Sequence, residues 1–270
     1  MDLNVLRKLK RTSDSKILMI VVDGIGGLPM AETGPTELEA AQTPNLDDLA
    51  HQGICGLHQP VGTGITPGSG PGHLGLFGYD PIRYQVGRGV LSALGINFDL
   101  QLNDVAARGN FCSIDEQGRV TDRRAGRIST DTCRKLCDKL RQIALPGVEV
   151  YIEPVKDYRF LLVLRGEGLG AELNDTDPQV TGKPPAELRP GSDNSRKTAE
   201  LVNQYVEKAK KRLADEHPAN MILLRGFSRK PDWPKIGDVY GIRAAAIAGY
   251  PMYRGVSKLI GMDIIEAPDD

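Results

Sequence analysis

Only four cysteines stand in the 270 residues, Cys55, Cys112, Cys133 and Cys137, and no two are spaced as C-x-x-C. That scarcity excludes a disulfide scaffold and fits reduced thiols in a cytoplasmic protein. Cys133 and Cys137 read as packing on one helix face rather than as a metal pair. An excess of one charge is missing too. The formal net charge is −1, which leaves no footprint for nucleic acid or an anionic membrane. No apolar run approaches the roughly 18 residues that would span a bilayer. The charged stretch from Met1 to Lys16 has no apolar signal-peptide core. Internal repeats and low-complexity tracts are absent, and the length suits one large or two smaller domains.

Three familiar phosphate and nucleophile motifs are also lacking. There is no Walker loop, because no Gly-Lys-Ser/Thr follows a glycine at the required spacing. A G-x-S-x-G elbow around Ser69 fails at Pro67 and Pro71. A dinucleotide fingerprint beginning at Gly24 fails at Pro29.

What is present centres on the stretch from Thr63 to Tyr79, where six glycines and two prolines surround one serine, Ser69. Glycine lets the backbone approach a ligand closely. Pro71 suits the first turn of a helix, whose free N–H groups and dipole favour a bound phosphate. Two readings stand: Ser69 as a nucleophile that carries a phosphoryl group, or a flexible surface loop.

The run from Lys16 to Val22 is continuously apolar after its lysine and predicts a strand buried on both faces of a parallel sheet. It ends at Asp23, where α/β proteins build their sites. There Asp23 is either a ligand to a divalent metal or the first residue of an Asp-Gly turn. Thr43 and Pro44 predict a helix start that Gly53 stops. Further helices are predicted over Val90 to Leu94, Thr130 to Ile143, Ser195 to about Ala214, Gly241 to Ala248 and Gly255 to Ile260. Strands are predicted over Asp104 to Cys112, Val148 to Ile152, Arg159 to Leu164 and Met221 to Leu224. Arg119 to Arg127 holds four arginines and one aspartate, which reads as a bidentate anion clamp or as a solvated charged loop. The long turn-rich stretch from Arg165 to Asn194 carries Asp175 and Asp177, which read as turn formers ahead of cation ligands. Strands alternating with helices, interrupted by a strand pair, predict an α/β domain with an inserted α+β domain.

Val22-Asp23-Gly24-Ile25-Gly26-Gly27, Thr43-Pro44-Asn45-Leu46-Asp47 and Thr66-Pro67-Gly68-Ser69-Gly70-Pro71-Gly72-His73-Leu74 together resemble the alkaline phosphatase superfamily. Gly78-Tyr79-Asp80-Pro81, Ala107-Arg108-Gly109-Asn110-Phe111, Asp122-Arg123-Arg124-Ala125-Gly126-Arg127 and the region from Gly249 to Gly255 narrow the resemblance. They are similar to the archaeal-type phosphoglycerate mutases that work without 2,3-bisphosphoglycerate.

The resemblance implies an alkaline-phosphatase-like, mainly parallel sheet flanked by helices. Its catalytic domain would occupy residues 1–85 and return at 219–270, with a substrate-binding α+β domain inserted at 86–218. It implies interconversion of 3-phosphoglycerate and 2-phosphoglycerate, a small-molecule partner, through a phosphoserine at Ser69. Asp23 and Ser69 would ligate a divalent ion, manganese or magnesium, one of two in a complete member. Arg108, Asp122, Arg123, Arg124 and Arg127 would bind substrate. The protein partner it leaves open is a second copy in a homo-oligomer. The family's metal sites also need an Asp-His pair and a further histidine near the C-terminus. Here the last histidine is His217 and no Asp-His pair occurs. The expectation is therefore a member lacking its C-terminal part, without appreciable mutase turnover alone. The alternatives are a metal-dependent phosphatase or other phosphotransferase, or a non-catalytic remnant that binds phosphometabolites.

Overall fold

A computed structural model describes residues 2–29 and 34–266. The chain divides into two units, one made of Met1–Lys10 with Pro60–Asp270 and the other of Arg11–Gln59.

The larger unit opens with α1 (Leu3–Leu9), capped by the Asp2 carboxylate, which accepts from the Asn4 N–H. The smaller unit carries α2 (Glu37–Ala40), closed by a reciprocal capping box between Thr36 and Glu39, and α3 (Pro44–Gln52). Helix α3 begins at Pro44 and stops at Gly53, as the sequence predicts. The strand expected over Lys16 to Val22 does not form. The side chains of Ile17 to Val22 are 41–85% exposed. A parallel strand exists only where neighbouring strands accept from its N–H groups and donate to its C=O groups, and no strand is described within Arg11–Gln59.

From Pro60 the larger unit continues with α4 (Ser69–Leu76) and α5 (Arg88–Gly95), then β1 (Val105–Ile114) and β2 (Val120–Asp122). It goes on through α6 (Thr130–Arg141), β3 (Glu149–Lys156), β4 (Arg159–Arg165), α7 (Arg196–Arg212) and β5 (Met221–Ser228). Helix α6 forms because Ser129 caps it and because Cys133, Leu136, Cys137 and Leu140 repeat at helical spacing on its buried face. The two thiols lie 4.0 Å apart against the sheet, so they are packing, as expected.

The main sheet is antiparallel, which corrects the expected parallel one. Its order is β2-β1-β4-β3, with β5 pairing with the other edge of β1. Strand β1 is therefore flanked by β4 and β5, both antiparallel to it. The hairpin joining β3 to β4 was legible as two adjacent strands. On one face Val105, Ala107 and Phe111 of β1 pack with Leu136, Leu140, Leu201 and Tyr205 of α6 and α7. On the other, Ala106, Leu161 and Val163 pack with Val90 and Ala93 of α5. Alternation along β1 puts Arg108 and Asn110 on the α5 side.

The unit ends with α8 (Ile236–Tyr240), β6 (Ala245–Ile247), α9 (Pro251–Leu259) and β7 (Asp263–Ile265). The helix expected over Gly241 to Ala248 is instead β6, parallel to β7. Gly241 takes a left-handed conformation, φ 72°, to close α8. Proline then starts α9 at residue 251. The interval is too short to repay helix nucleation, and β7 satisfies its backbone instead. Leu74, Leu91, Val256 and Leu259 share one apolar cluster. It holds α4 and α9 against α5.

Candidate functional site

Ser69 is half-buried and is the first residue of α4, two positions earlier than Pro71 suggests. A tight turn precedes it, in which the Ile65 N–H donates to the Gly62 carbonyl over 3.1 Å and Gly64 takes φ 77°. One turn into the helix, the His73 Nδ1–H donates to the Ser69 carbonyl over 2.8 Å. The His73 ring lies 4.7 Å from that of Tyr253, on α9. The serine backbone is thus fixed from its own helix, and its side chain stands at the helix end where N–H groups are free.

Arg88 begins α5, and its terminal nitrogen lies 4.0 Å from where a Cβ on Gly68 would stand. Its backbone nitrogen would be only 2.5 Å from a Cβ on Gly226, which takes φ 63°. Glycine at 226 is therefore required for α5 to reach β5. The residue before it, Arg225, is in register with Arg108 across the β1–β5 pair. Directly opposed like charges destabilise a sheet unless something compensates them. Arg225 is compensated by Asp175 at 3.2 Å and Asp177 at 3.3 Å. For Arg108, the Nε is buried without a hydrogen-bond partner among the described residues. Burial, then the neighbouring guanidinium of Arg88, pushes Arg108 down to about 10. Burial and Arg225 likewise lower Arg88. Arg159, opposite Asn110 in the β1–β4 register, packs its guanidinium 4.3 Å from the Tyr158 ring and 5.6 Å from the Tyr250 ring. The Asn110 Oδ1 is buried without a partner as well. Four guanidiniums, with buried polar atoms left unbonded, describe a place prepared for an anion.

Of the residues named from the sequence, Ser69 and Arg108 lie in or beside this cluster. Arg123 is tied to it indirectly. Its Nε and Nη2 donate to the Asp177 carboxylate over 2.8 and 2.7 Å. The Asp122 carboxylate accepts from the Arg124 and Gly126 N–H groups over 2.8 and 2.6 Å, so it shapes a turn. In that turn Ala125, Gly126 and Arg127 all have positive φ, and Arg124 and Arg127 stand exposed. Asp23 is exposed in a turn within the smaller unit, with Gly24 at φ 81°. Asp175 and Asp177 are ion-pair partners as well as turn formers. Arg88, Arg159 and Arg225 were missed. The available signals were Gly-Arg-Gly at 87–89 and Arg-Gly at the end of a buried strand.

No three His, Cys, Asp or Glu side chains among the described residues form a group that would hold a metal ion. No described helix is long and apolar enough to cross a membrane. Two clefts elsewhere, one around Asp104 and Arg165 and one around Ser195 and Lys197, contain none of the cluster's arginines.

Comparison with known proteins supplies the context. A profile described as 2,3-bisphosphoglycerate-independent phosphoglycerate mutase matches residues 50–220. A Thermus thermophilus protein named as a probable enzyme of that kind is 52% identical over 264 residues, covering 97% of this chain and 65% of the relative. An Aquifex aeolicus protein of the same name is 48% identical, with 98% and 67% covered. The solved cofactor-independent phosphoglycerate mutase of Thermoplasma acidophilum aligns with TM-score 0.58 and 32% identity, over 92% of this chain and 69% of that one. A solved Pyrococcus horikoshii protein aligns with TM-score 0.70 and 27% identity, over 91% and 60%. The chain spans about 65% of the length of its Thermus relative.

Proposed function

Because this chain belongs to the 2,3-bisphosphoglycerate-independent phosphoglycerate mutase family, we propose that it carries the phosphoryl-accepting serine and the anion-holding arginines of such an enzyme. In this reading the Ser69 Oγ attacks the phosphorus of 3-phosphoglycerate. The bond from phosphorus to the C3 oxygen breaks, that oxygen takes a proton, and glycerate stays bound. The glycerate then turns, and its 2-hydroxyl attacks the phosphoserine, which yields 2-phosphoglycerate and restores Ser69. Arg88, Arg108 and Arg225 neutralise the carboxylate and phosphoryl charges, and their enclosure keeps water from hydrolysing the phosphoserine. Arg124 and Arg127, on the turn shaped by Asp122, are proposed as further substrate contacts. The observation that carries the reading is Arg88 beside the Ser69 turn and next to the opposed pair Arg108 and Arg225.

Asp23 and Ser69 are the two proposed ligands for a manganese or magnesium ion. Two donors fall short of the about six that such an ion takes, even with several supplied by water, and the described residues form no larger group. The described residues therefore do not make a complete metal site. This chain alone is accordingly expected to bind 3-phosphoglycerate without appreciable turnover.

The test joins this chain to the part of the Thermus thermophilus relative that the match leaves uncovered. The fusion is assayed with manganese for 2-phosphoglycerate and free phosphate. Formation of 2-phosphoglycerate that Ser69→Ala abolishes is the expected result. Free phosphate as the sole product favours a phosphatase, and normal turnover by Ser69→Ala rules out the covalent route.

A further inference from the structure

Arg123 sits in the arginine-rich run, yet the Nε–Nη2 edge of its guanidinium is occupied. Both donating nitrogens meet the two oxygens of Asp177, at 2.8 and 2.7 Å. Asp177 lies in the long loop between β4 and α7, and its side chain is wholly buried. The same Oδ2 that takes Arg123 also faces Nη1 of Arg225 at 3.3 Å. A bidentate pair at 2.7–2.8 Å is stronger than a single contact at 3.3 Å. Asp177 therefore spends most of its charge on Arg123. Arg225, opposite Arg108, is thus balanced once, by Asp175, and only weakly a second time by Asp177.

Resting on the reading that the arginine cluster holds the substrate's anionic groups, we propose that Arg123 is a positioning residue that keeps Arg225 available to the anion by occupying Asp177. It touches no substrate in this role. The charges show what its removal does. Arg123, Asp177, Arg225 and Asp175 together are neutral. Without Arg123, Arg225 faces two carboxylates and the group carries one net negative charge, which repels an anion. Replacing Asp177 by asparagine in the same molecule returns the group to neutrality. The arrangement predicts that a second loss repairs the first in affinity for the anion. A purely structural pair also regains stability when its second charge is removed, because the uncompensated charge goes with it, so the distinguishing readout is anion binding measured where every variant is folded.

The experiment titrates 3-phosphoglycerate into the 270-residue chain by calorimetry, with the parent, Arg108→Ala, Arg123→Ala and Arg123→Ala/Asp177→Asn compared. Arg108→Ala tests the underlying reading, and the other two test the relay. Arg123→Ala is expected to weaken binding about tenfold or more, and the double variant to recover to within about threefold of the parent. Arg123→Lys, which keeps a charge on Asp177, is expected to bind nearly as the parent does. If Arg123→Ala does not fold, Arg123→Gln replaces it in both comparisons. Loss of binding in Arg108→Ala, with no recovery in the double variant, overturns the relay and leaves the arginine site standing. Unchanged binding in Arg108→Ala, or no binding by the parent, overturns the arginine site itself.

Discussion

Asp177 shows how one carboxylate can stabilise a fold and tune a site together. Burial alone would raise its pKa. The hydrogen bonds from Arg123 and the Gln179 N–H outweigh that and hold it below the ordinary carboxylate range. A carboxylate with a depressed folded pKa contributes stability above its unfolded value, near 3.9. The contribution is lost as the pH falls through the lower folded value. Stability of the parent should therefore drop on the acid side of about pH 4, and Asp177→Asn should lack that part of the drop. Urea midpoints measured at a series of acidic pH values read this directly. Parallel curves for parent and variant would show that Asp177 is not ionised against Arg123 in the fold. Ser69 stood out in the sequence through its glycine-rich surroundings, whereas Arg108 was singled out only through the family resemblance. The arginine cluster was not legible, because Arg88, Arg108, Arg159 and Arg225 come from four separate elements and meet only through strand register and the packing of α5 on β5. The local run from Arg119 to Arg127 drew attention because its charges are neighbours in sequence. In space Arg123 is spoken for by an aspartate about fifty residues on.

Helix α5 links the core to the site. A Cβ on Gly89 would lie 2.1 Å from the Ala106 carbonyl oxygen of β1. The helix can lie this close to the sheet only with glycine there, and its first residue is Arg88. Gly89→Ala must push α5 off β1, at a cost of about 1–3 kcal/mol. It should also weaken 3-phosphoglycerate binding, since Arg88 moves with the helix. Thermal unfolding and calorimetric titration of this variant check both effects, and an unchanged melting temperature would contradict the close packing. Elements with strong periodicity were readable in advance: α6, α7 and the β3–β4 hairpin fall where apolar residues repeat at helical or strand spacing. Lys16 to Val22 was misread because an apolar run specifies only that it wants burial. Whether it becomes a strand depends on lateral partners, and none is described within its unit. Gly241 to Ala248 was misread because alanine's helix propensity is weak against a glycine stop and a neighbouring parallel strand.

At the scale of the whole molecule, the larger unit holds Ser69, the arginine cluster and the Asp177 relay, while Asp23 belongs to the smaller unit. Family membership rests on sequence identity across nearly the whole chain. The assignment of chemistry to Ser69 and the arginines rests on their geometry within one unit. Its most direct test is a crystal structure of the Ser69→Ala chain soaked with 3-phosphoglycerate. The expected result is ligand carboxylate or phosphate oxygens within hydrogen-bonding distance of the Arg88 and Arg108 guanidiniums, with the phosphorus facing residue 69. Ligand bound elsewhere, with the arginine cluster empty at saturating concentration, would contradict it.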